Sequence, residues 1–393
     1  AVDRILRVYS RNLRDPFGGK QVLLVGDVFQ LEPVIKGDER EIINRFYPTP
    51  YFFSARVFNE IELVSIELQK VYRQSDAVFV SVLDHIRSGA AGAADLQLLN
   101  TRYGAPIDAS EEDMYITLAT RRDTVETIND RRLAELPGDP VVFEGEINGD
   151  FPESSLPTSK DLTLKPGAQI IFIKNDFERR WVNGTIGVVS GIDNDGIIYV
   201  ITDDGKECDV HRESWRNIRY KYNEEKKEIE EEELGTFTQY PIRLAWAITV
   251  HKSQGLTFSR VVIDFTGGVF AGGQAYVALS RCTSLEGIQL KKPVSRADIF
   301  VRPEIVSFSG RFNNRQAIDK ALKQAQADVQ YAAAAHAFDK GDFESCLEQF
   351  FLAIHSRYDI EKPTARRLIR RKLGVINLLR EQKRKLQEQM AAQ

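Results

Sequence analysis

The chain has 393 residues, 42% of them hydrophobic and 28% charged, which is enough for two or more cored domains. No run of eighteen apolar residues occurs, so a membrane-spanning helix is excluded, and no basic segment followed by an apolar stretch marks the start. The net charge of -4 conceals an asymmetry: residues 311–393 hold 16 Lys/Arg against 10 Asp/Glu, which rules out a basic coat over the whole molecule and confines any nucleic-acid binding to a groove or a basic tail.

At the start, Val2, Ile5, Leu6 and Tyr9 recur at helical spacing with no initiator Met and no capping residue before them, so the chain is expected to begin inside a helix of a longer protein. The run "KQVLLVGD", closed by Gly26-Asp27, predicts a fully buried parallel strand. "IELVSIELQKVYRQ" predicts a second strand leading into a helix over "AVFVSVLDHIRSG", which Gly89 ends. A third strand, Tyr115 to Leu118, meets a polar turn at Thr120 and then a helix. Strands alternating with helices imply a doubly wound α/β sheet.

Residues 166–240 change character, with short β-rich runs separated by Asn-Asp, Asn-Gly and Asp-Gly turns, the pattern of a small antiparallel barrel or meander inserted between α/β elements. The run "EEKKEIEEEE" reads as a solvated hairpin or loop. The α/β pattern returns in "IRLAWAITVHKSQGLTFSRVVIDF" and "GGQAYVALSRCTSLEGIQL", after which the chain turns helical. Gly341, Phe343, Cys346, Phe350 and Ala353 stand at offsets resembling one tetratricopeptide hairpin. The last segment, "ARRLIRRKLGVINLLREQKRKL", is a basic amphipathic helix with Leu368, Leu373, Ile376 and Leu379 on or near one face. It suits a DNA backbone, a protein partner, or a structural cover for the hairpin. The three cysteines, Cys208, Cys282 and Cys346, form no CxxC pair and no zinc-spaced cluster, so a reducing cytoplasm is the expected setting and no metal site is implied.

In an open parallel sheet, ligands bind beyond the carboxyl ends of the strands. Asp27 and Gln30 follow the first expected strand, Thr249 to Gln254 follow "LAWAI", and Arg281 follows "AYVALS", while Arg73 recurs in a comparable setting in "VYRQ". Alone, each is an ordinary loop or ion-pair residue. Together, two arginines, a glutamine and an acid suit a polyphosphate, because guanidinium groups neutralise charge on a transferred phosphoryl and an amide senses or orients around it.

"LLVGDVFQLEPV", "LQKVYRQSDAVFVSVLDHIRSG", "LATRRDTVETIND", "AITVHKSQGLTFSRVVIDF" and "GQAYVALSRCTSLEGIQL", in this order, resemble the later motifs of superfamily 1 helicases of the 5'-to-3' branch, most closely the Pif-type DNA helicases, with RecD-like enzymes as near relatives. The resemblance spans about residues 1–300. It implies RecA-like P-loop NTPase domains, the first incomplete and the second complete, with an inserted small β-barrel and a C-terminal α-helical region. The expected division is 1–69 for the remainder of the first RecA-like domain, 70–165 plus 241–305 for the second, 166–240 for the barrel and 310–393 for the helical region.

The same resemblance implies an ATP-dependent helicase and translocase on single-stranded or forked DNA, with Mg²⁺ as the ion and DNA repair and recombination as its setting. Gln30 would be the phosphate sensor beside Asp27, Arg73 and Arg281 the two arginine fingers, and Gln254-Gly255 a nucleotide-sensing segment. Thr249, His251, Lys252 and Ser253 would grip the strand backbone, with Thr120 and Asn129 as accessory DNA contacts. Trp181 and Trp215 are available for base stacking or for the barrel core.

One departure is decisive for activity. The family's G-x-x-x-x-G-K-[ST] loop is absent, since Gly19-Lys20 is followed by Gln21 and Gly205-Lys206 by Glu207. Nor is there a strand-ending Asp-Glu pair for Mg²⁺, because Asp38-Glu39 follows Lys36-Gly37 in an expected loop. Both elements are expected upstream of residue 1, so the chain alone is expected to be inactive, and its outer helices leave room for a protein partner. A non-catalytic single-strand binding protein and an interaction module derived from a helicase remain as alternatives.

Overall fold

The computed structural model describes residues 1–35, 37–106, 114–223, 228–361 and 363–391. The chain forms two compact units, one from residues 1–22, 52–69 and 307–393, the other from residues 23–51 and 70–306.

The larger unit is built on a four-stranded parallel sheet in the order Ala247–Thr249, Ile116–Ala119, Val261–Asp264, Ile288–Leu290. These are short apolar runs because both faces are covered: Ile116, Leu118, Val261, Ile263, Ile288 and Leu290 are all buried. Helix Ala77–Ser88 packs Phe79, Val82, Leu83 and Ile86 into the same core. It starts where the Asp76 carboxylate accepts from the Val78 N–H at 2.8 Å and ends at Gly89, which takes φ 73°. Helices Arg122–Glu135 and Gln274–Leu279 complete the α/β layers.

Two expected strands are absent. Among the described residues no strand precedes Ile116. Residues 20–27 are irregular, and Leu23 and Val25 are 85% and 88% exposed. A buried parallel strand needs hydrogen-bonded neighbours and covered faces, and no described strand pairs with this run. The "IELVSIELQK" segment is likewise extended without pairing, with Leu68 exposed. The Glu39 region is a helix, Gly37–Phe46, rather than a loop, while Lys36 lies outside the described residues.

The β-rich segment forms a five-stranded antiparallel sheet in the order Ile242–Leu244, Gln169–Phe172, Ile186–Ile192, Ile198–Thr202, Glu207–Val210. It shares one core with the pair Val141–Glu144 and Asp161–Leu164 through Phe143, Leu162, Leu164, Phe172, Val200 and Val210. The strands Glu213–Asn223 and Glu228–Gln239 form a long antiparallel pair that adds Glu146–Gly149 as a third strand. Residues 224–227 of the acidic run lie outside the described residues. Trp181 is buried and stacks on Phe172 at 4.3 Å, so it is core, whereas Trp215 is half-buried against Phe237 with the Lys174 ammonium 5.4 Å from its ring centre.

In the smaller unit, helix Val2–Tyr9 is tied down by Arg7, whose guanidinium donates to Asp3 at 2.9 Å and Glu60 at 2.8 Å. Helices Arg315–Asp339 and Phe343–Arg357 form a hairpin capped by Asn314 and Asp342. Buried Ala327, Ala334 and Ala353 let the two helices approach closely. The last helix, Pro363–Ala391, turns Ile369 and Ile376 inward, while Leu368, expected on the same face, is 59% exposed. Leu368 lies eight residues before Ile376, about 80° round the helix, so it falls at the rim of the packed stripe. A cavity of about 520 Å³ lies among the three helices, lined by Tyr331, Phe338, Phe350, Leu368 and Ile376. All three cysteines are buried and unpaired, and burial pushes each thiol pKa up.

Gln239, fully buried, joins two of the sheets: its amide donates to the carbonyls of Phe143 and Lys160, both at 2.8 Å, and its oxygen accepts from the Tyr240 N–H at 3.0 Å. Gln239→Met, which keeps the volume but removes all three bonds, is expected to cost about 2–4 kcal/mol in urea denaturation. A loss below about 0.5 kcal/mol would show that the junction does not depend on this amide.

Candidate functional site

The carboxyl edge of the parallel sheet carries most of the candidate residues. Asn129, on the helix after the central strand, uses its whole amide on the neighbouring strand: it donates to the Ala247 carbonyl at 3.0 Å and accepts from the Ala247 N–H at 2.8 Å, in a buried position. This fixes the height of Ala247–Thr249 and the turn that follows. The turn is self-supporting, because the Thr249 hydroxyl accepts from the Lys252 N–H at 3.3 Å and the Ser253 N–H donates to the Thr249 carbonyl at 3.1 Å. Ser253 is fully buried and gives its hydroxyl to the Val250 carbonyl at 2.8 Å.

What the turn presents outward is His251, Lys252, Gln254 and Gly255. The His251 ring lies nearly parallel to Phe270, with centroids 6.5 Å apart, and burial pulls its pKa below the usual imidazole range. Lys252 has an exposed surface but a crowded ammonium: burial first, then Arg243 and Arg122, push its pKa down to about 8. Thr120 closes the central strand with a buried hydroxyl that has no partner among the described residues. Beside it, Arg121 donates to the Gly267 carbonyl at 3.0 Å.

Arg281 is 2% exposed, yet no carboxylate pairs with it among the described residues. Its donors go to neutral oxygens: the Val277 carbonyl at 3.0 Å, Leu256 at 3.2 Å, Ser253 at 3.4 Å and the Ser280 hydroxyl at 3.1 Å. Burial, and then the nearby Arg73, lower its pKa to about 10, so it stays charged at neutral pH. Arg73 converges on the same residue, donating to the Ser280 carbonyl at 3.1 Å and the Thr257 hydroxyl at 2.8 Å. Two guanidinium groups with no directly paired carboxylate among the described residues are an arrangement that attracts an anion.

The loop Asp27–Gln30 lies on the same unit. The Asp27 carboxylate accepts from the Phe29 N–H at 3.0 Å, from the Gln30 amide at 3.3 Å and from Arg87 at 3.4 Å. Gln30 in turn accepts from the Gln254 amide at 3.4 Å. The close approach depends on Gly273, which adopts φ 77° and whose missing side chain leaves room for the carbonyls of Phe29 and Gln30.

Asp27, Gln30 and Gln254 are thus one hydrogen-bonded set, Arg73 and Arg281 a second, and Thr249 to Gly255 a third that touches both. Three contributors escaped sequence reasoning. Gln74, buried next to Arg73, holds the arginine loop by donating to the carbonyls of Ser280 at 3.1 Å and Cys282 at 2.8 Å. Arg87 lies over the Phe29 ring at 4.3 Å while it reaches Asp27. Arg243 buries an Nε without a partner among the described residues. The only signal for Gln74 was its adjacency to Arg73, and for the other two there was none. Among the described residues no group of three or more His, Cys, Asp or Glu is arranged to hold a metal, so the residues present do not fit a Mg²⁺ site.

A family model described as PIF1-like helicase matches residues 1–96. The human ATP-dependent DNA helicase PIF1 is 35% identical over 298 residues, which cover 74% of this chain and 43% of that protein, so the chain spans less than half of that relative's length. Bacteroides Pif1 bound to single-stranded DNA is similar at 37% identity and a TM-score of 0.63, covering 80% of this chain and 72% of that one. Bacteroides Pif1 in complex with ADP-AlF3 and single-stranded DNA is similar at 38% identity and a TM-score of 0.62, covering 79% and 70%.

Asn129→Ala removes both partners of Ala247 and is expected to destabilise the larger unit by about 2–3 kcal/mol in denaturant titration. A neutral result would mean that the turn is held by its own bonds alone.

Proposed function

This chain belongs to the PIF1-like helicase family, and on that basis we propose that it serves as the arginine-finger and strand-gripping part of an ATP-dependent 5'-to-3' helicase and translocase on single-stranded or forked DNA. The observation that carries this reading is the pair Arg73 and Arg281, which meet at Ser280 with one guanidinium buried and neither ion-paired to a carboxylate among the described residues. A site of that chemistry fits a nucleoside triphosphate. ATP, when bound, supplies a terminal phosphoryl group on which negative charge develops during transfer. Arg281 and Arg73 would neutralise that charge, and Gln30, oriented by Asp27 and linked to Gln254, would sense the phosphate. Gly255, at φ 83° with open space around it, would leave its backbone accessible to the nucleotide. The phosphate-cradling loop and the Mg²⁺ ligands are proposed to lie upstream of residue 1, and no step is assigned to the ion.

On the DNA side, Thr249, His251, Lys252 and the unpartnered Thr120 hydroxyl are proposed to meet the backbone of the strand. Ser253 and Asn129, whose polar groups are spent on Val250 and Ala247, are proposed to act by holding the turn rather than by touching DNA. The division into a first RecA-like remainder at 1–69, a second domain at 70–165 plus 241–305, an insert at 166–240 that helps close the strand channel and a helical region at 310–393 is part of the same proposal. A protein partner for the C-terminal helices is supported by the apolar cavity among them. A reducing, cytosolic setting is supported by three unpaired thiols, and the bacterial type with its nucleoid is proposed alongside it.

The test is DNA-stimulated ATP hydrolysis by the natural gene product. Arg281→Ala is expected to lower turnover on the order of a thousandfold while leaving affinity for single-stranded DNA nearly intact. Unchanged turnover would sink the finger assignment, and DNA binding with no turnover in the unaltered protein would favour a non-catalytic binding role. Because the Lys252 ammonium loses its proton as pH rises through about 8, affinity for a single strand is expected to fall between about pH 7 and pH 9. Lys252→Arg keeps its charge across that window, and an equally steep fall in this variant would remove Lys252 from the interface.

A further inference from the structure

The loop that carries Gln30 takes its place from the surface it rests on, because the run before it offers no anchor: residues 20–27 are irregular and no described strand pairs with them. Phe29 is buried beside the Arg87 guanidinium, the carbonyls of Phe29 and Gln30 approach Gly273, and Leu31 packs against the main core. At Asp27 the bond from Arg87 is long, at 3.4 Å. At Glu32 the hold is tighter: the Arg302 guanidinium donates at 2.9 Å and 3.0 Å, one bond to each carboxylate oxygen. Tyr51, a buried side chain, donates its hydroxyl to the same carboxylate at 3.4 Å. Burial and then the Glu32 charge push the Tyr51 pKa up to about 12, while the Arg302 bonds hold the Glu32 carboxyl below the usual carboxylate range. At neutral pH the phenol is therefore the donor and the carboxylate the acceptor. Gly272 runs under the arginine, since a methyl group placed on it would stand 3.6 Å from the Arg302 Cγ.

An arginine–carboxylate pair whose side chains are 44% and 23% exposed contributes little through one bond, but two parallel bonds fix orientation as well as distance. The bonds of Gln30 itself, 3.3 Å to Asp27 and 3.4 Å from Gln254, are long, so its backbone places the amide more firmly than its own contacts do. Glu32 follows two residues later, a reach of about 7 Å at most. Resting on the reading of Gln30 as the phosphate sensor, we infer that Arg302, Glu32 and Tyr51 form a clamp that positions Gln30 from behind its loop. They are positioning residues, acting through the backbone between Gln30 and Glu32. With the clamp closed, the loop keeps its register on Gly272-Gly273, and the amide is free to turn from Gln254 to a phosphate. With the clamp open, Leu31 still packs but the orientation around it is lost, so the sensor is misplaced rather than removed.

The test has two arms. In the whole chain without nucleotide, Arg302→Ala and Glu32→Gln should each raise hydrogen exchange of the amides of residues 28–31 about tenfold and leave the strand Ile116–Ala119 unchanged. Arg302→Lys, which keeps the charge and loses the fork, should fall between. Unchanged exchange at 28–31 in both variants, or an equal rise at Ile116–Ala119, would overturn the clamp. In the natural gene product the same two variants should lower DNA-stimulated kcat about tenfold, the scale of a small misplacement of a reacting group, with KM for ATP and affinity for single-stranded DNA within about twofold. If Gln30→Ala lowers turnover while Arg302→Ala and Glu32→Gln leave it intact, the positioning role falls. If Gln30→Ala itself leaves turnover intact, the sensor reading falls instead, and the exchange arm still decides whether the clamp exists.

Discussion

The larger unit is organised around a buried positive charge held by neutral oxygens. Arg281 keeps its guanidinium in place through the carbonyls of Val277, Ser253 and Leu256 and the hydroxyl of Ser280, with no carboxylate ion-paired to it among the described residues. Carbonyl dipoles orient a cation without cancelling it, so the charge remains available to a ligand. The rest of the site follows from that constraint. Gln74 holds the carbonyls that flank the arginine, Arg73 leans on the same segment, and the burial that isolates Arg281 requires the close-packed core beneath it.

Two of those carbonyls, Ser253 and Leu256, belong to the segment whose outward side carries His251, Lys252 and Gln254. The turn proposed to grip the strand is therefore hydrogen-bonded directly to the arginine proposed to face the nucleotide. Gln254 adds a second link, through Gln30 to Asp27. A shift of Arg281 toward a phosphate must change the bonds it makes to the turn. This is a short physical route by which the state of one ligand alters the grip on another, since both act on one small hydrogen-bonded element.

What could be read from the sequence was what is decided locally. Helix Ala77–Ser88 announced itself through its apolar spacing and Gly89, and the strand before Thr120 through its run of buried residues. The motif residues were legible because short strings fix their order along the chain, and the fold brings Asp27, Gln30, Arg73 and Arg281 onto one unit. Leu23 to Val25 misled because an apolar run says nothing of whether neighbouring strands exist to receive it. Asn129 and Ser253 looked like free polar groups, and only the structure reveals that their bonds are used internally. Gln74, Arg87 and Arg243 were hidden for the converse reason: Gln74 meets Ser280 206 positions away, Arg87 meets Asp27 60 positions away, and Arg243 is marked only by a buried Nε without a partner among the described residues, none of which a local pattern encodes.

The three cysteines have a practical consequence. Each is buried and each thiol is shifted by burial away from the thiolate form that alkylating reagents attack. A fourth cysteine placed at an open surface position, such as Phe177 at 98% exposure, would react selectively in the native chain. The molecule thus accepts a single site-directed fluorophore without first being stripped of its own sulfur, and its movements can be followed optically in the form in which it folds.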